Sequence, residues 1–392
     1  MVTNPPKILI VAGEASGDHH AAHLVAAIKE KEPRAEFFGI GGEAMAAQGV
    51  RLLCHASDLS VMGLSEVVGS LRTVLRALRD VGRALKRERP SLVILVDFPD
   101  FNFWVARLAK FYRARVMYYI SPQVWAWRTY RVRTIARLVN RMVVIFPFEE
   151  EFYRQRGVPV TYVGHPLLEA LPCQVDRRSL LKKWGLDPER LTLALLPGSR
   201  ASEIERHLPM ILAGVRVIHQ AIPEVQFILP LASTAPAELV EDMVRAGLKP
   251  APTGPAETTP PIKILQGQSY EALSAAHLAV VASGTATVEA AIAATPSVIV
   301  YQVSPITFKV GRLLIRVPHV GMANLLAGER VFPELIQDDF TPARLAREIL
   351  ELIAHPPRLQ AIFRGLARVI ALLSGPGASS RAAQVAVELM NN

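Results

Sequence analysis

Cysteine is scarce in this 392-residue chain: only Cys54 and Cys173 occur, far apart and with no His or Cys at metal-ligand spacing. That excludes a disulfide framework and argues against a structural zinc site, and it fits a reducing cytoplasm. Long apolar runs are also missing, and none approaches the ~20 residues that a membrane-spanning helix needs. The opening run from Ile8 to Ala12 leads at once into a glycine- and charge-bearing loop, unlike a signal peptide. A chain that is half hydrophobic and one-fifth charged is not disordered. Its length exceeds the usual reach of one core and predicts two domains.

Carboxylates are rare in one long stretch. Residues 72–141 hold sixteen Lys or Arg against Asp80, Glu88, Asp97 and Asp100, a local charge of +12 within a formal total of +9. Such a field attracts nucleic acid, anionic lipid or phosphorylated substrates, and charge by itself does not choose among them. No helix-turn-helix, finger or aromatic RNA-binding signature accompanies it, so nucleic acid is not the expected partner.

The pattern present is strand, loop, helix, repeated. Apolar strands are predicted from Lys7 to Ala12, Leu92 to Val96, Arg115 to Ile120 and Met142 to Ile145, each followed by a turn and a helical period. After Gly164-His-Pro166 and a polar linker at Cys173 to Arg178 the pattern restarts at Leu191 to Leu196. It continues through Val225 to Leu229, Ile262 to Leu265, Leu278 to Val281 and Ser297 to Tyr301. Strands alternating with helices predict parallel α/β sheets covered on both faces. The expected division is residues 1–170, residues 171–345, and a helical tail, 346–392, packing back on the first domain. The Pro-rich stretch from Lys249 to Pro261 reads as an exposed loop.

Several loops that leave strand ends carry chemistry. Leu196-Pro-Gly-Ser-Arg200 offers Gly198 for close approach to an anion, Ser199 as a cap or donor, and Arg200 as a fork for phosphate. Ala282-Ser283-Gly284-Thr285 with Glu289 one helical turn on suits a diphosphate and the two hydroxyls of a ribose. Two anion-suited loops in one α/β domain point to a nucleotide. In the first domain, Asp97-Phe-Pro-Asp100-Phe-Asn102 places carboxylates beyond a strand end. Asp100 is the candidate general base for a sugar hydroxyl, while Asp97 or Asn102 orients the loop; a turn-stabilising role for Asp100 is the alternative. Gly13-Glu14-Ala-Ser16-Gly17-Asp18 could hold a sugar or its phosphate, although Ser16 or Asp18 as a helix cap explains part of it. In Ser121-Pro-Gln123-Val-Trp-Ala-Trp127, Gln123 beside aromatics suits a sugar face, with core packing the alternative for the tryptophans.

Arg72, Arg76, Arg79, Arg83 and Lys86 or Arg87 recur at steps of three or four and form one basic helical face. With the apolar cluster Val61, Met62, Leu64, Val67 and Val68, that face would contact a membrane surface; a solvated face on a core-packed helix is the alternative.

Taken together, GEASGD, VMGLSEV, DFPDFN, SPQVWAWR, LPGSR, ASGTATVE and NLLAGE, in this order over nearly the whole chain, resemble the lipid-A-disaccharide synthase family. The resemblance implies a GT-B fold, two Rossmann-like parallel-sheet domains facing a central cleft. It implies inverting transfer from UDP-2,3-diacylglucosamine to 2,3-diacylglucosamine 1-phosphate, giving the β(1→6) disaccharide 1-phosphate and UDP. By motif, Asp100 matches the base and Gly198, Ser199, Arg200, Ser283, Gly284, Thr285 and Glu289 the UDP site. Glu14, Ser16, Gly17, Asp18, Met62, Gln123 and Asn324 fall to the acceptor or cleft. No cofactor and no metal are expected, in keeping with the lack of an Asp-x-Asp pair. A cytoplasmic enzyme peripheral on the inner membrane, with tail exchange beyond Gly375 in a homodimer, completes the expectation. A UDP-sugar 2-epimerase or a diacylglycerol glucosyltransferase of the same fold is the competing reading.

Overall fold

The computed structural model describes residues 5–60, 67–171, 175–232, 235–248, 260–314, 317–373 and 375–391. Its contacts divide the chain into two compact units, Met1–Glu169 with Leu373–Asn392, and Ala170–Leu372.

Unit 1 is built on β1 (Lys7–Ala12), β2 (Glu36–Gly41), β3 (Arg51–His55), β4 (Leu92–Val96), β5 (Arg115–Tyr119), β6 (Arg141–Val144) and β7 (Val160–Tyr162). They form one sheet in the order β3-β2-β1-β4-β5-β6-β7, and every pairing is parallel. Central strands such as Leu92–Val96 are buried along their whole length because helices cover both faces, which is why they read as unbroken apolar runs. Strand order reverses between β1 and β4, so the loops leaving these two strands diverge and open a crevice at their carboxyl ends. The loops beginning at Gly13 and Asp97 flank that crevice.

Unit 2 repeats the plan with β8 (Thr192–Leu196), β9 (Gln226–Leu231), β10 (Ile262–Gln266), β11 (Leu278–Ala282), β12 (Ser297–Tyr301) and β13 (Glu334–Ile336). The order is β10-β9-β8-β11-β12-β13, again all parallel. Here the order reverses between β8 and β11, whose following loops hold Gly198 and Gly284.

The apolar pattern misses β2, β3, β7 and β13. Of these, β2 carries Gly39 at φ +157°, essentially extended backbone, where an added Cβ would overlap the carbonyl of Ile10 on the neighbouring strand. Glycine is required there for packing, and it disguises a buried strand as a turn. Of the tail expected to return as one piece from residue 346, the helices Pro342–Ala354 and Pro356–Leu372 lie in unit 2. The helix Ala378–Asn391 lies in unit 1, tied by Arg115 Nη1 to the Leu389 carbonyl (2.6 Å) and Arg381 Nε to the Val163 carbonyl (2.8 Å).

The helix Val67–Glu88 buries Ala77, Val81, Ala84 and Leu85 and leaves Arg72, Arg76, Arg79, Arg83, Lys86 and Arg87 exposed, so the basic face points to solvent. Among the described residues no helix is long and apolar enough to cross a membrane. Val61, Met62, Leu64, Cys173 and residues 249–259 lie outside the described residues.

Candidate active site

In unit 1 the chain leaves β4 through two consecutive left-handed residues, Asp97 (φ +43°) and Phe98 (φ +48°), before the helix Pro99–Phe111 begins. Non-glycine residues avoid this region, so neighbours must hold the turn. The fully buried Asn102 does so, donating from Nδ2 to the carbonyls of Asp97 (2.7 Å) and Val96 (3.2 Å). Tyr118 adds its hydroxyl to the Asp97 carbonyl at 2.7 Å. The turn delivers Asp100 to the first turn of the helix with its side chain 74% exposed. Arg131 Nη2 and Arg128 Nη1 both donate to its Oδ1, at 2.6 and 3.4 Å.

The opposite lip is the first turn of the helix Ala15–Lys31, with Glu14 at its N-cap. Ser16 is exposed there and Gly17 buried. Asp18 is buried, and its carboxylate accepts from the backbone N–H groups of Gly42 (2.6 Å), Ala44 (3.0 Å) and Met45 (3.2 Å). Three such bonds to the turn after β2 make Asp18 a brace between two loops. Behind β5, Gln123 is exposed, whereas the neighbouring Trp125 donates its indole N–H to Glu149 Oε1 at 3.0 Å. Glu149 also accepts from the Phe146 N–H at 3.2 Å, and burial lifts its carboxyl to about 7. A buried and a half-buried histidine lie in the same unit: desolvation holds His165 down to about 3 and His20 to about 4.

In unit 2, Gly198 sits at φ +129°, and a Cβ there would lie 2.7 Å from Glu203 Oε2. That oxygen accepts from the backbone N–H of Ser199 (3.1 Å) and of Arg200 (3.4 Å), so these amides converge on one negative oxygen. They open the helix Ala201–Ala221, whose N-terminus adds its positive end to the same place. Arg200 extends outward, 68% exposed, with Nη1 3.6 Å from Glu203 Oε1. His207 steadies the loop from beneath: it is buried, with Nδ1 2.8 Å from the Pro197 carbonyl and Nε2 accepting from the Gln302 N–H at 3.0 Å.

The second loop of unit 2 is exposed at Gly284 and Thr285, with Gly284 at φ +151°. Ser283 Oγ donates to the Val320 carbonyl at 2.8 Å, and Thr287 Oγ1 accepts from the Met322 N–H at 3.2 Å, lacing this loop to residues 320–322. Glu289 is half-buried, and its carboxyl is raised by burial and then by Glu271. Asn324 is fully buried: Nδ2 donates to the Phe332 carbonyl and Glu334 Oε1, both at 2.8 Å, and Oδ1 accepts from the Phe332 N–H at 2.7 Å. Glu334 in turn accepts from the N–H groups of Gly321 (2.9 Å) and Val320 (3.2 Å). Asn324 therefore acts on the loop from inside the unit.

A model of the family described as lipid-A-disaccharide synthetase matches residues 8–388. The lipid-A-disaccharide synthase of Syntrophus aciditrophicus is 45% identical over 99% of this chain and 98% of its own length. That of Myxococcus xanthus is 44% identical over 99% of both chains. The chain belongs to the lipid-A-disaccharide synthase family. It is a glycosyltransferase of lipid A biosynthesis, and a sugar nucleotide and an acceptor are its substrates. Among solved structures it is similar to the UDP-GlcNAc 2-epimerase of Neisseria meningitidis bound to UDP-GlcNAc, with TM-score 0.66 and 11% identity over 98% of this chain and 100% of that one. It is also similar to the calicheamicin glycosyltransferase CalG4, with TM-score 0.62 and 15% identity over 100% and 99%. These likenesses place it in the GT-B fold, which epimerases and glycosyltransferases share. The family match decides between them.

Sequence reading finds these loops and, in Asn102, one of the side chains that hold them, but misses the others. Arg128 ends the SPQVWAWR motif without a signal of its own, and nothing local marks Arg131, Glu149, His207 or Glu334. Only the acid-poor run around Arg131 carries a usable signal: no Asp or Glu occurs between Asp100 and Glu149. An arginine there has few possible partners nearby in sequence, and Asp100 is one.

Proposed function

We propose that the enzyme transfers 2,3-diacylglucosamine from its UDP derivative to the 6-hydroxyl of 2,3-diacylglucosamine 1-phosphate. Transfer inverts the anomeric carbon and yields the β(1→6) disaccharide 1-phosphate and UDP. The observation that carries the reading is Asp100, an exposed carboxylate at the point where strand order reverses, in a member of this family. A sugar hydroxyl attacks only as its proton leaves, and Asp100 takes that proton. Both arginines bind Oδ1, which leaves Oδ2 to face the hydroxyl.

The leaving diphosphate needs positive charge fixed in advance. The Arg200 guanidinium and the N-terminal end of the helix Ala201–Ala221 supply it, the amides of Ser199 and Arg200 join them when the diphosphate takes the place of the Glu203 carboxylate they hold, and Ser283, Gly284 and Thr285 form a second wall. Glu289 accepts the ribose hydroxyls. Glu14, Ser16 and Gln123 line the acceptor side, the buried Gly17 and Asp18 support it from the same turn, Asn324 braces the 320–322 loop of unit 2 through Glu334, and Met62 is assigned to the acceptor or cleft by motif alone. The exposed arginines of the helix Val67–Glu88 bring the enzyme to the anionic cytoplasmic face of the inner membrane, where both lipid substrates reside. Exchange of the C-terminal helix in a homodimer belongs to the same proposal.

The test is UDP release from UDP-2,3-diacylglucosamine with and without the acceptor, for wild type and Asp100→Ala. Acceptor-dependent release should fall by about 10²–10⁴ in kcat in the variant. Release that ignores the acceptor would point instead to an epimerase or hydrolase.

A further inference from the structure

We propose that Arg128 and Arg131 form the binding site for the phosphate of the acceptor sugar, and that Asp100 occupies this site until the phosphate arrives. This rests on the reaction proposed above and adds to it the place where the acceptor's charge is read.

The two guanidiniums are held more firmly than the carboxylate they contact. Arg131 is 19% exposed and lies over the ring of Phe103, 5.4 Å from its centroid. Arg128 is 30% exposed and sits 3.8 Å above Trp127. Stacking on an aromatic face fixes the plane of a guanidinium and lowers the entropy lost when it binds an anion. Asp100, by contrast, is 74% exposed and offers both forks a single oxygen, at 2.6 and 3.4 Å. Two planar forks on one carboxylate oxygen leave most of their donors without a charged acceptor. A phosphate monoester presents three oxygens and more charge, and so fits the pair better.

The surrounding charge agrees. From residue 101 to 148 the sequence has nine Lys or Arg and no Asp or Glu, so Asp100 sits at the edge of a field that it does not neutralise. A phosphate could come from the donor or from the acceptor. The donor's diphosphate has its own amides and arginine in unit 2. The reacting hydroxyl that meets the proposed base comes close to both substrates' phosphates, but the donor's is already provided for, so the acceptor's phosphate is the one assigned to this pair. Its arrival would draw both guanidiniums from Oδ1 of the carboxylate whose Oδ2 faces the 6-hydroxyl of the same sugar, coupling recognition of the phosphate to activation of the nucleophile.

The experiment compares 2,3-diacylglucosamine 1-phosphate with the same sugar lacking its phosphate, as acceptors for wild type, Arg131→Gln and Arg128→Gln, all checked for native circular dichroism. Wild type should prefer the phosphorylated acceptor by about 100-fold in kcat/KM, and each variant should reduce that preference to about tenfold or less, mainly through acceptor KM. KM for the UDP donor should not move. Because Arg128 is the more exposed of the two arginines, its variant serves if Arg131→Gln does not fold. The inference is overturned if the variants keep the wild-type preference, lose activity equally on both acceptors, or raise donor KM instead. It is also overturned if wild type does not distinguish the acceptors. If wild type shows no acceptor-dependent UDP release, the proposed reaction itself fails and takes this site with it; retained release with an unchanged preference removes the site alone.

Discussion

A Cβ placed on Gly13 would overlap the ring of Phe98. The first glycine of the β1 loop is thus fixed by packing against the left-handed turn after β4, and the two lips of the unit 1 crevice are made to fit each other. Gly13→Ala must push Phe98 away and disturb the turn that delivers Asp100. The expected cost is about 1–3 kcal/mol of stability, as for overpacking, with a fall in kcat larger than the change in either KM. Urea unfolding and UDP-release kinetics measure both. Adding Phe98→Leu, which removes the ring, should recover part of each loss; a double variant no better than Gly13→Ala would show that the contact is not the cause.

Arg200 is the exposed guanidinium beside two converging amides. If these together hold the diphosphate, Arg200→Ala should weaken UDP binding by about tenfold or more, the value of one charge-assisted contact, while leaving the unfolding midpoint in place. Titration calorimetry with UDP reads this directly. Unchanged affinity would move the diphosphate to another part of unit 2.

How much of this was legible beforehand follows from burial and reach. Strands such as β4 and β8 show as unbroken apolar runs because both faces are covered, and the loops after them were found because ligand loops follow strand ends. Gly39 hides β2, and β7 and β13 have only three residues each, too few to show a period. At the site, Arg200 and Asp100 announce themselves by local motif. Glu149 does not, because its partner Trp125 lies 24 residues away across a strand. Asn324 was legible as a polar residue in a motif, but its partners Phe332 and Glu334 are brought to it only by the fold, so its inward orientation was not.

Glu149 gives a pH prediction with a defined sign. Its ordinary value is 4.5 and burial raises it to about 7, so between these values the native state keeps a proton that the unfolded chain has lost. Glu149 therefore favours the native state less as pH rises from about 4.5 to about 7, with no further change above. His165 and His20 act in the opposite direction, since their depressed values cost stability as pH falls below 6.5. Glu149→Gln separates the two effects. Wild type should gain on the variant as pH falls from 8 toward 5, read as the difference between their urea midpoints at each pH. Parallel curves would mean that Glu149 does not titrate in this window.

Asn324 separates bracing from ligand contact. Its amide makes all three of its hydrogen bonds inside unit 2, to Phe332 and Glu334, and Glu334 holds the amides of Val320 and Gly321. Asn324→Ala leaves a buried N–H, a carbonyl and a carboxylate oxygen short of partners, which should cost about 2–4 kcal/mol. Asn324→Asp should be no milder, because it sets a second carboxylate against Glu334 and faces the Phe332 carbonyl with an acceptor. A residue that touched substrate would behave differently, raising KM while leaving the unfolding midpoint unmoved. The bracing role predicts the reverse: a lower midpoint in both variants and, at temperatures where Asn324→Ala remains folded, a KM close to wild type.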